Sequence, residues 1–264
     1  MSGGAGASRA CRASLTAGLP DPSRRAFVGA LGAAIAAGAG AGAAATQALA
    51  TSASSKAGDA PRAGAGLLPV AAPDPESPFG VDLGVNMDTI DDYLHLDGVA
   101  YRDMRMLRDP ADYASIGGDS LLSIALEGFK VVPFPYIGTL QELPVSGAYD
   151  GDRLFDVTWA DDGTVASATP RYEQADLIIA DLFPRDEPII LCCGGGGYAG
   201  MMRQLLIFFG YDPAKLYNAG GVWDYTGYYP VELARYDAAS GTTSYFSWRV
   251  DCAPINFDEL DPTA

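Results

Sequence analysis

The sequence predicts an α/β domain with a mostly parallel sheet, flanking helices and added β-hairpins. Short apolar segments bounded by Gly, Pro or Asp alternate with segments of helical periodicity over residues 99–218. That order favours parallel strands joined by right-handed crossovers. The chain has 264 residues, of which 48% are hydrophobic, so it is long enough to bury a core. We place one such domain at residues 78–264.

The N-terminal segment has the layout of an export signal. Arg24 and Arg25 precede Phe27, and residues 26–55 form an uncharged run of mostly Ala and Gly. The paired arginines resemble the twin-arginine signal, which an export machinery reads. We therefore predict a signal peptide at residues 1–50 and an extracytoplasmic protein, whether periplasmic, cell-surface or secreted.

Small residues before position 51 suit cleavage near Ala50. The alternative is an uncleaved membrane anchor at residues 26–55, and this is the only membrane association we expect. Residues 51–77 are rich in Ser, Ala, Gly and Pro and are predicted to be a flexible spacer.

Charge and histidine content exclude several function classes. The chain carries 17 Lys and Arg against 33 Asp and Glu, a net charge of −16. Cleavage after residue 50 removes four arginines and one aspartate, which leaves −19. This acidity argues against a nucleic-acid partner. The only histidine is His95, so no His-rich metal site is expected.

Four strands and two helices are predicted in chain order. The strands are residues 99–104, 129–134, 189–192 and 215–218. Residues 172–183 place apolar side chains at i, i+3, i+4 and i+7, and Pro184 closes the segment. Residues 199–209 are apolar nearly all round and stop at Gly210, as expected of a buried helix.

Two hairpins are expected outside the parallel sheet. Residues 154–169 flank the turn Asp161-Asp162-Gly163, and we expect this hairpin to be a surface insertion that adds little to the core. Residues 231–251 flank a turn at 238–241. Alternation at Phe246, Trp248 and Val250 predicts that one face of the last strand is buried.

The third strand leads through a cysteine pair into a Gly-rich loop and a helix. A loop of this kind can direct several backbone N–H groups at one point, and the helix N-terminus adds a positive dipole. A thiol placed there is expected to have a lowered pKa and to act as a nucleophile. Strand alternation points Cys192 into the core and leaves Cys193 at the open side of the loop. The predicted anion-binding loop comprises Gly194, Gly195, Gly196, Gly197, Tyr198 and Ala199.

This segment resembles the active-site loop of the rhodanese family. Further motifs follow in the family's order over residues 87–225: Asp103-Met104-Arg105 after one strand, residues 126–134 around the next, and Gly220-Gly221-Val222-Trp223 after the fourth. The resemblance implies a sulfurtransferase in which Cys193 takes sulfane sulfur from a small donor as a covalent persulfide. The sulfur then passes to a thiol or other nucleophile, with no cofactor or metal. Asp103 and Arg105 are expected to support the loop as an ion pair.

One position departs from the family. Active members commonly carry Arg five residues after the cysteine, where this chain has Tyr198. A neutral phenol cannot pair with a dianion such as thiosulfate, so a less charged persulfide donor is favoured. The alternative is a non-catalytic rhodanese-like module that binds an anion or a partner protein.

Other interpretations of the cysteine and glycine residues stay open. Cys192 and Cys193 could form a vicinal disulfide, and Cys252 is either a core residue or a resolving thiol. Gly195-x-Gly197-x-x-Gly200 matches a dinucleotide fingerprint, but no acidic residue ends the next strand. The phosphatase relatives of the fold need a longer loop before their Arg, and the residue at that position is Ala199.

Overall fold

The computed structural model describes residues 67–106, 124–142, 149, 151–246, 249, 251–252 and 255–263. The predicted signal peptide at residues 1–50 lies outside these ranges. Within them, no helix has the length and apolarity that crossing a membrane requires.

The strands are β1 (Ala100–Asp103), β2 (Ile124–Leu126), β3 (Lys130–Val131), β4 (Phe155–Trp159), β5 (Val165–Pro170), β6 (Ile189–Cys193), β7 (Leu216–Gly221), β8 (Pro230–Glu232), β9 (Ala234–Asp237), β10 (Thr242–Tyr245) and β11 (Asp251–Cys252). The α-helices are α1 (Phe134–Ile137), α2 (Ala175–Leu182) and α3 (Gly197–Phe208), and 3-10 turns lie at Ile90–Tyr93, Pro213–Lys215, Val222–Asp224 and Phe257–Glu259.

Five parallel strands form the central sheet, in the order β11-β3-β1-β6-β7. This confirms the predicted α/β class with a parallel sheet flanked by helices. Strand β6 is buried at every position, as an interior strand of a parallel sheet must be. Its side chains alternate between two clusters: Leu191 and Cys193 face one side, and Ile190 and Cys192 face the other.

Each face of the sheet is covered by a different part of the chain. Helices α2 and α3 pack on the face that carries Cys193. Ala175, Ile179 and Leu182 are the buried residues of α2, which confirms the predicted apolar stripe. The opposite face is covered by the N-terminal segment, through Val85 and Ile90 among others.

The predicted strand at residues 129–134 is shorter in the structure. Only Lys130–Val131 pairs as β3, and α1 begins at Phe134. The reason is chemical: Pro133 and Pro135 have no N–H to donate to a ladder, whereas proline is tolerated in the first turn of a helix. Helix α3 also begins two residues earlier than predicted, so residues 197–199 of the Gly-rich loop form its first turn.

The hairpin predicted at residues 154–169 is present as antiparallel β4 and β5. The expectation that it contributes little to the core was wrong. Phe155 is 1% exposed and belongs to the main cluster with Val157. The Val157 N–H donates to Thr139 Oγ1 at 3.0 Å, and the Trp159 indole donates to the Thr139 carbonyl at 3.0 Å. The hairpin is therefore fixed to the segment that follows α1.

The C-terminal hairpin predicted at residues 231–251 is divided among three sheets. Only β9 and β10 form a hairpin, while β8 pairs with β2 and β11 joins the central sheet beside β3. Leu233 accounts for the break, because its fully buried side chain packs with Ala125 and Val131 between β8 and β9. Phe246 is half-buried; Trp248 and Val250 lie outside the described residues.

Residues 67–77 of the predicted flexible spacer at 51–77 belong to the folded domain, whereas residues 51–66 lie outside the described residues. From residue 67 onward the chain is described, and it is bonded to the domain. The Ala71 N–H donates to the Ala214 carbonyl at 3.0 Å, and the Tyr217 hydroxyl donates to the Pro69 carbonyl at 2.5 Å. Pro73 bridges to Asp82 in antiparallel fashion. Composition alone predicted a spacer, but these long-range hydrogen bonds make the segment part of the fold.

Candidate functional site

The cysteine pair ends β6 at the carboxyl edge of the sheet. Cys192 is fully buried on the face covered by the N-terminal segment, as predicted. Cys193 was expected at the open side of the loop, yet it is only 3% exposed. The difference arises because β6 continues through Cys193, so its thiol lies beneath the loop in the cluster with α3.

Three backbone N–H groups act on the Cys193 thiol. The Gly196 N–H donates to Sγ at 3.1 Å, and the N–H groups of Tyr198 and Ala199, at the start of α3, lower the pKa of the same thiol. Gly196 has φ +89°, a conformation that glycine adopts without strain. The loop and the N-terminus of α3 therefore direct N–H donors toward one sulfur atom; anion binding by the loop stays a prediction.

The ionisation of the thiol is set by two opposed effects. Burial raises the pKa of the Cys193 thiol, the N–H groups of the loop lower it, and the Asp103 carboxylate raises it. The net direction is upward, opposite to the lowered pKa predicted from the sequence, because burial outweighs the donors. Burial also raises the pKa of Cys192 well above its ordinary value. Burial therefore favours the neutral thiol at both positions.

Asp103 and Arg105 form a buried ion pair at the end of β1. Asp103 is 0% exposed and Arg105 is 3% exposed, and the Arg105 Nε lies 2.9 Å from both carboxylate oxygens. Arg105 Nη2 also donates to the Ile124 carbonyl at 2.8 Å. Since Asp103 lies in register with Cys192, the pair holds the strand end next to the cysteines. The predicted ion pair is therefore present, while its support of the loop stays a prediction.

The end of β7 closes the loop from the other side. The Trp223 N–H donates to the Gly194 carbonyl at 3.3 Å. A Cβ on Gly194 would overlap the Trp223 ring, and a Cβ on Gly221 would overlap the backbone of Gly194 and Gly195. Gly221 is needed because backbone packs on backbone there, and Gly194 is needed because the Trp223 ring packs on it.

Asn218 is a site residue that the sequence analysis missed. Its side chain is fully buried, and its Nδ2 donates to the Phe79 carbonyl at 2.8 Å and to the Gly196 carbonyl at 3.1 Å. Its Oδ1 accepts from the Gly220 N–H at 3.0 Å. An asparagine at the end of the predicted strand 215–218 was the only available signal, since residue 79 lies far away in the chain.

Aromatic rings lie next to the loop. The half-buried Tyr198 ring packs on Phe134 with centroids 6.2 Å apart, and Phe134 packs on Trp159 at 6.4 Å. Tyr198 therefore presents a phenol where the rhodanese resemblance expects a guanidinium.

The third cysteine among the described residues, Cys252, lies away from this site. Cys192 and Cys193 are both free thiols, so the vicinal disulfide is not formed. Cys252 is half-buried on β11, with β3 and β1 between it and β6, a lateral distance of about 14 Å at the usual strand spacing. This placement favours a packing role over a resolving thiol. Among the described residues, no group of three His, Cys, Asp or Glu side chains could hold a metal ion.

Comparison with protein-family models, curated proteins and solved structures finds no match for this chain.

Proposed function

We propose that this protein is an exported rhodanese-like sulfurtransferase in which Cys193 carries a persulfide. The observation that carries the proposal is the Gly196 N–H at 3.1 Å from the Cys193 sulfur, together with the N–H groups of Tyr198 and Ala199 that lower the pKa of the same thiol. Such donors stabilise negative charge on sulfur. A buried thiol with a purely packing role needs no such donors.

The proposed reaction is a sulfur exchange without net oxidation. A bond forms between the Cys193 sulfur and the outer sulfur of a donor R–S–SH, while the S–S bond of the donor breaks. The donor leaves as R–SH, carrying the proton that Cys193 loses. A second thiol then attacks the outer sulfur, takes it as its own persulfide and returns Cys193 to the thiol. During both steps the three N–H groups would stabilise the charge on sulfur.

Charge near the loop supports a weakly charged donor. Tyr198 adds no positive charge, and Asp103 lies close enough to raise the pKa of the thiol. The chain as a whole is acidic, with a net charge of −16. A thiosulfate dianion would be repelled, so we expect glutathione persulfide or another organic persulfide to be the better donor.

The test is detection of the persulfide on the full chain. After incubation with glutathione persulfide, and separately with thiosulfate, mass spectrometry should find one added sulfur atom on Cys193, with more from the organic donor. Cys193→Ser should abolish the modification. Cys192→Ser, the matched control one residue away, should retain it while lowering stability.

A second candidate is favoured by the burial and raised pKa of Cys193. This candidate is the non-catalytic module that binds an anion or a partner protein. If Cys193 gains no sulfur from either donor, the sulfurtransferase proposal is wrong and the non-catalytic module replaces it.

A further inference from the structure

We infer that Asn218 is a positioning residue for the donors around Cys193, and that residues 69–82, here called the N-terminal strap, complete the site. The inference rests on the proposed function for its chemical meaning. Whether Asn218 fixes the Gly196 peptide can be tested without a sulfur donor.

Asn218 contacts the residue that donates to the sulfur. The Gly196 N–H points at Cys193 Sγ, while the Gly196 carbonyl accepts from Asn218 Nδ2. The Gly200 N–H donates to the same carbonyl at 2.9 Å. Two hydrogen bonds therefore hold the carbonyl of Gly196, one from α3 and one from β7. Without the hydrogen bond from Asn218, the carbonyl of Gly196, a residue with positive φ, is held only by the hydrogen bond from α3.

The N-terminal strap is connected to the loop through the same side chain. Asn218 Nδ2 donates to the Phe79 carbonyl, and the Asp82 N–H donates to the Asn218 carbonyl at 2.8 Å. A Cβ on Gly200 would lie 2.7 Å from the Phe79 carbonyl oxygen, so the strap passes directly over the first turn of α3. Val81 lies 3.4 Å from the Cβ position of Gly196.

The strap is itself held by a buried carboxylate. Asp82 is 2% exposed, and its two oxygens accept from the N–H groups of Ala72, Gly84 and Val85 at 2.6 to 2.8 Å. The path from strap to sulfur therefore runs through fixed hydrogen bonds: Asp82 orders the strap, the strap meets Asn218, and Asn218 holds Gly196.

Asn86 provides a matched control for Asn218. Its Nδ2 also donates to two backbone carbonyls, those of Asp82 at 3.0 Å and Leu83 at 3.2 Å. The Leu83 carbonyl lies outside the strap and the Asp82 carbonyl belongs to its last residue, while the bonds of the Asp82 carboxylate that order the strap do not involve Asn86. Truncating Asn86 therefore removes hydrogen bonds of the same kind without removing the contact to Gly196.

The experiment compares Asn218→Ala, Val81→Ala and Asn86→Ala in the full chain. Iodoacetamide alkylation of Cys193 is followed by mass spectrometry across pH, and the rate at pH 8 is divided by the plateau rate at high pH. This ratio reports ionisation and corrects for altered access. For Asn218→Ala the ratio should fall about three- to tenfold, the range expected for loss of one hydrogen bond. Val81→Ala should also lower the ratio, but by a smaller factor.

Asn86→Ala should lower the melting temperature and leave the ratio unchanged. The inference is overturned if Asn218→Ala and Val81→Ala both give the same ratio as Asn86→Ala. If Asn218→Ala does not fold, the same result for Val81→Ala alone overturns it. Because alkylation needs no sulfur donor, this result stands apart from the persulfide test. A wild-type protein that gains no sulfur refutes the proposed function, whereas unchanged ionisation in the variants refutes the positioning role.

Discussion

Breaking the Asp103–Arg105 pair should destabilise the domain strongly. Arg105→Met removes the guanidinium whose Nε lies 2.9 Å from both oxygens of a carboxylate that is 0% exposed. The uncompensated charge costs about 3–5 kcal/mol of unfolding free energy. Replacing both residues, as in Asp103→Asn with Arg105→Met, should cost far less, because no buried charge is then left without its partner.

Urea unfolding of the full chain, followed by tryptophan fluorescence, measures these costs. With a slope of about 2 kcal/mol per molar urea, Arg105→Met should lower the midpoint by about 1.5–2.5 M. The double variant should lie closer to the wild type than either single variant does. Additive single costs, or a loss below about 1 kcal/mol in Arg105→Met, would refute the reasoning.

The same pair affects the thiol in a direction that can be checked. The Asp103 carboxylate raises the pKa of Cys193, so Asp103→Asn should move the alkylation profile of Cys193 to lower pH. A shift to higher pH would contradict the electrostatic account, whatever happens to stability.

Three other changes test the fold, the loop and the export signal. Phe155→Ala should lower the free energy of unfolding, measured in urea, by about 3–5 kcal/mol, since Phe155 is 1% exposed in the main core. A cost near zero would show that the hairpin contributes little to the core. Gly221→Ala should lower the melting temperature and the persulfide yield, because its Cβ would overlap the loop backbone. The control is Gly98→Ala: Gly98 has φ +71° and open space around it, so the substitution should lower the free energy of unfolding by only about 1–2 kcal/mol. Equal effects of Gly221→Ala and Gly98→Ala would show that the loop adapts to the added Cβ. Replacing Arg24 and Arg25 by Lys should hold the precursor in the cytoplasm in a fractionation assay, and normal export would exclude the twin-arginine signal.

Local patterns were sufficient for much of the architecture. The stripe of α2, the approximate bounds of α3 and the hairpin turn at Gly163 each depend on residues close together in the chain. The order of strands and helices then favours parallel pairing. The Gly-rich loop, with its donors directed at Cys193, follows from the same short segment. The sequence by itself therefore determined the class of fold and the position of Cys193 between a buried strand and the Gly-rich loop.

Tertiary structure decided how that site is enclosed. The depth of Cys193, the link from Asn218 to Phe79 and the place of β11 in the central sheet all join segments far apart in the chain. The periodicity of apolar residues predicts which side of a helix or strand is apolar, but not which part of the chain covers that side. For this reason composition indicated a spacer where the structure has a strap. The lowered thiol pKa expected from the loop alone was likewise reversed, because the desolvation that opposes the loop's donors comes from packing of the whole domain.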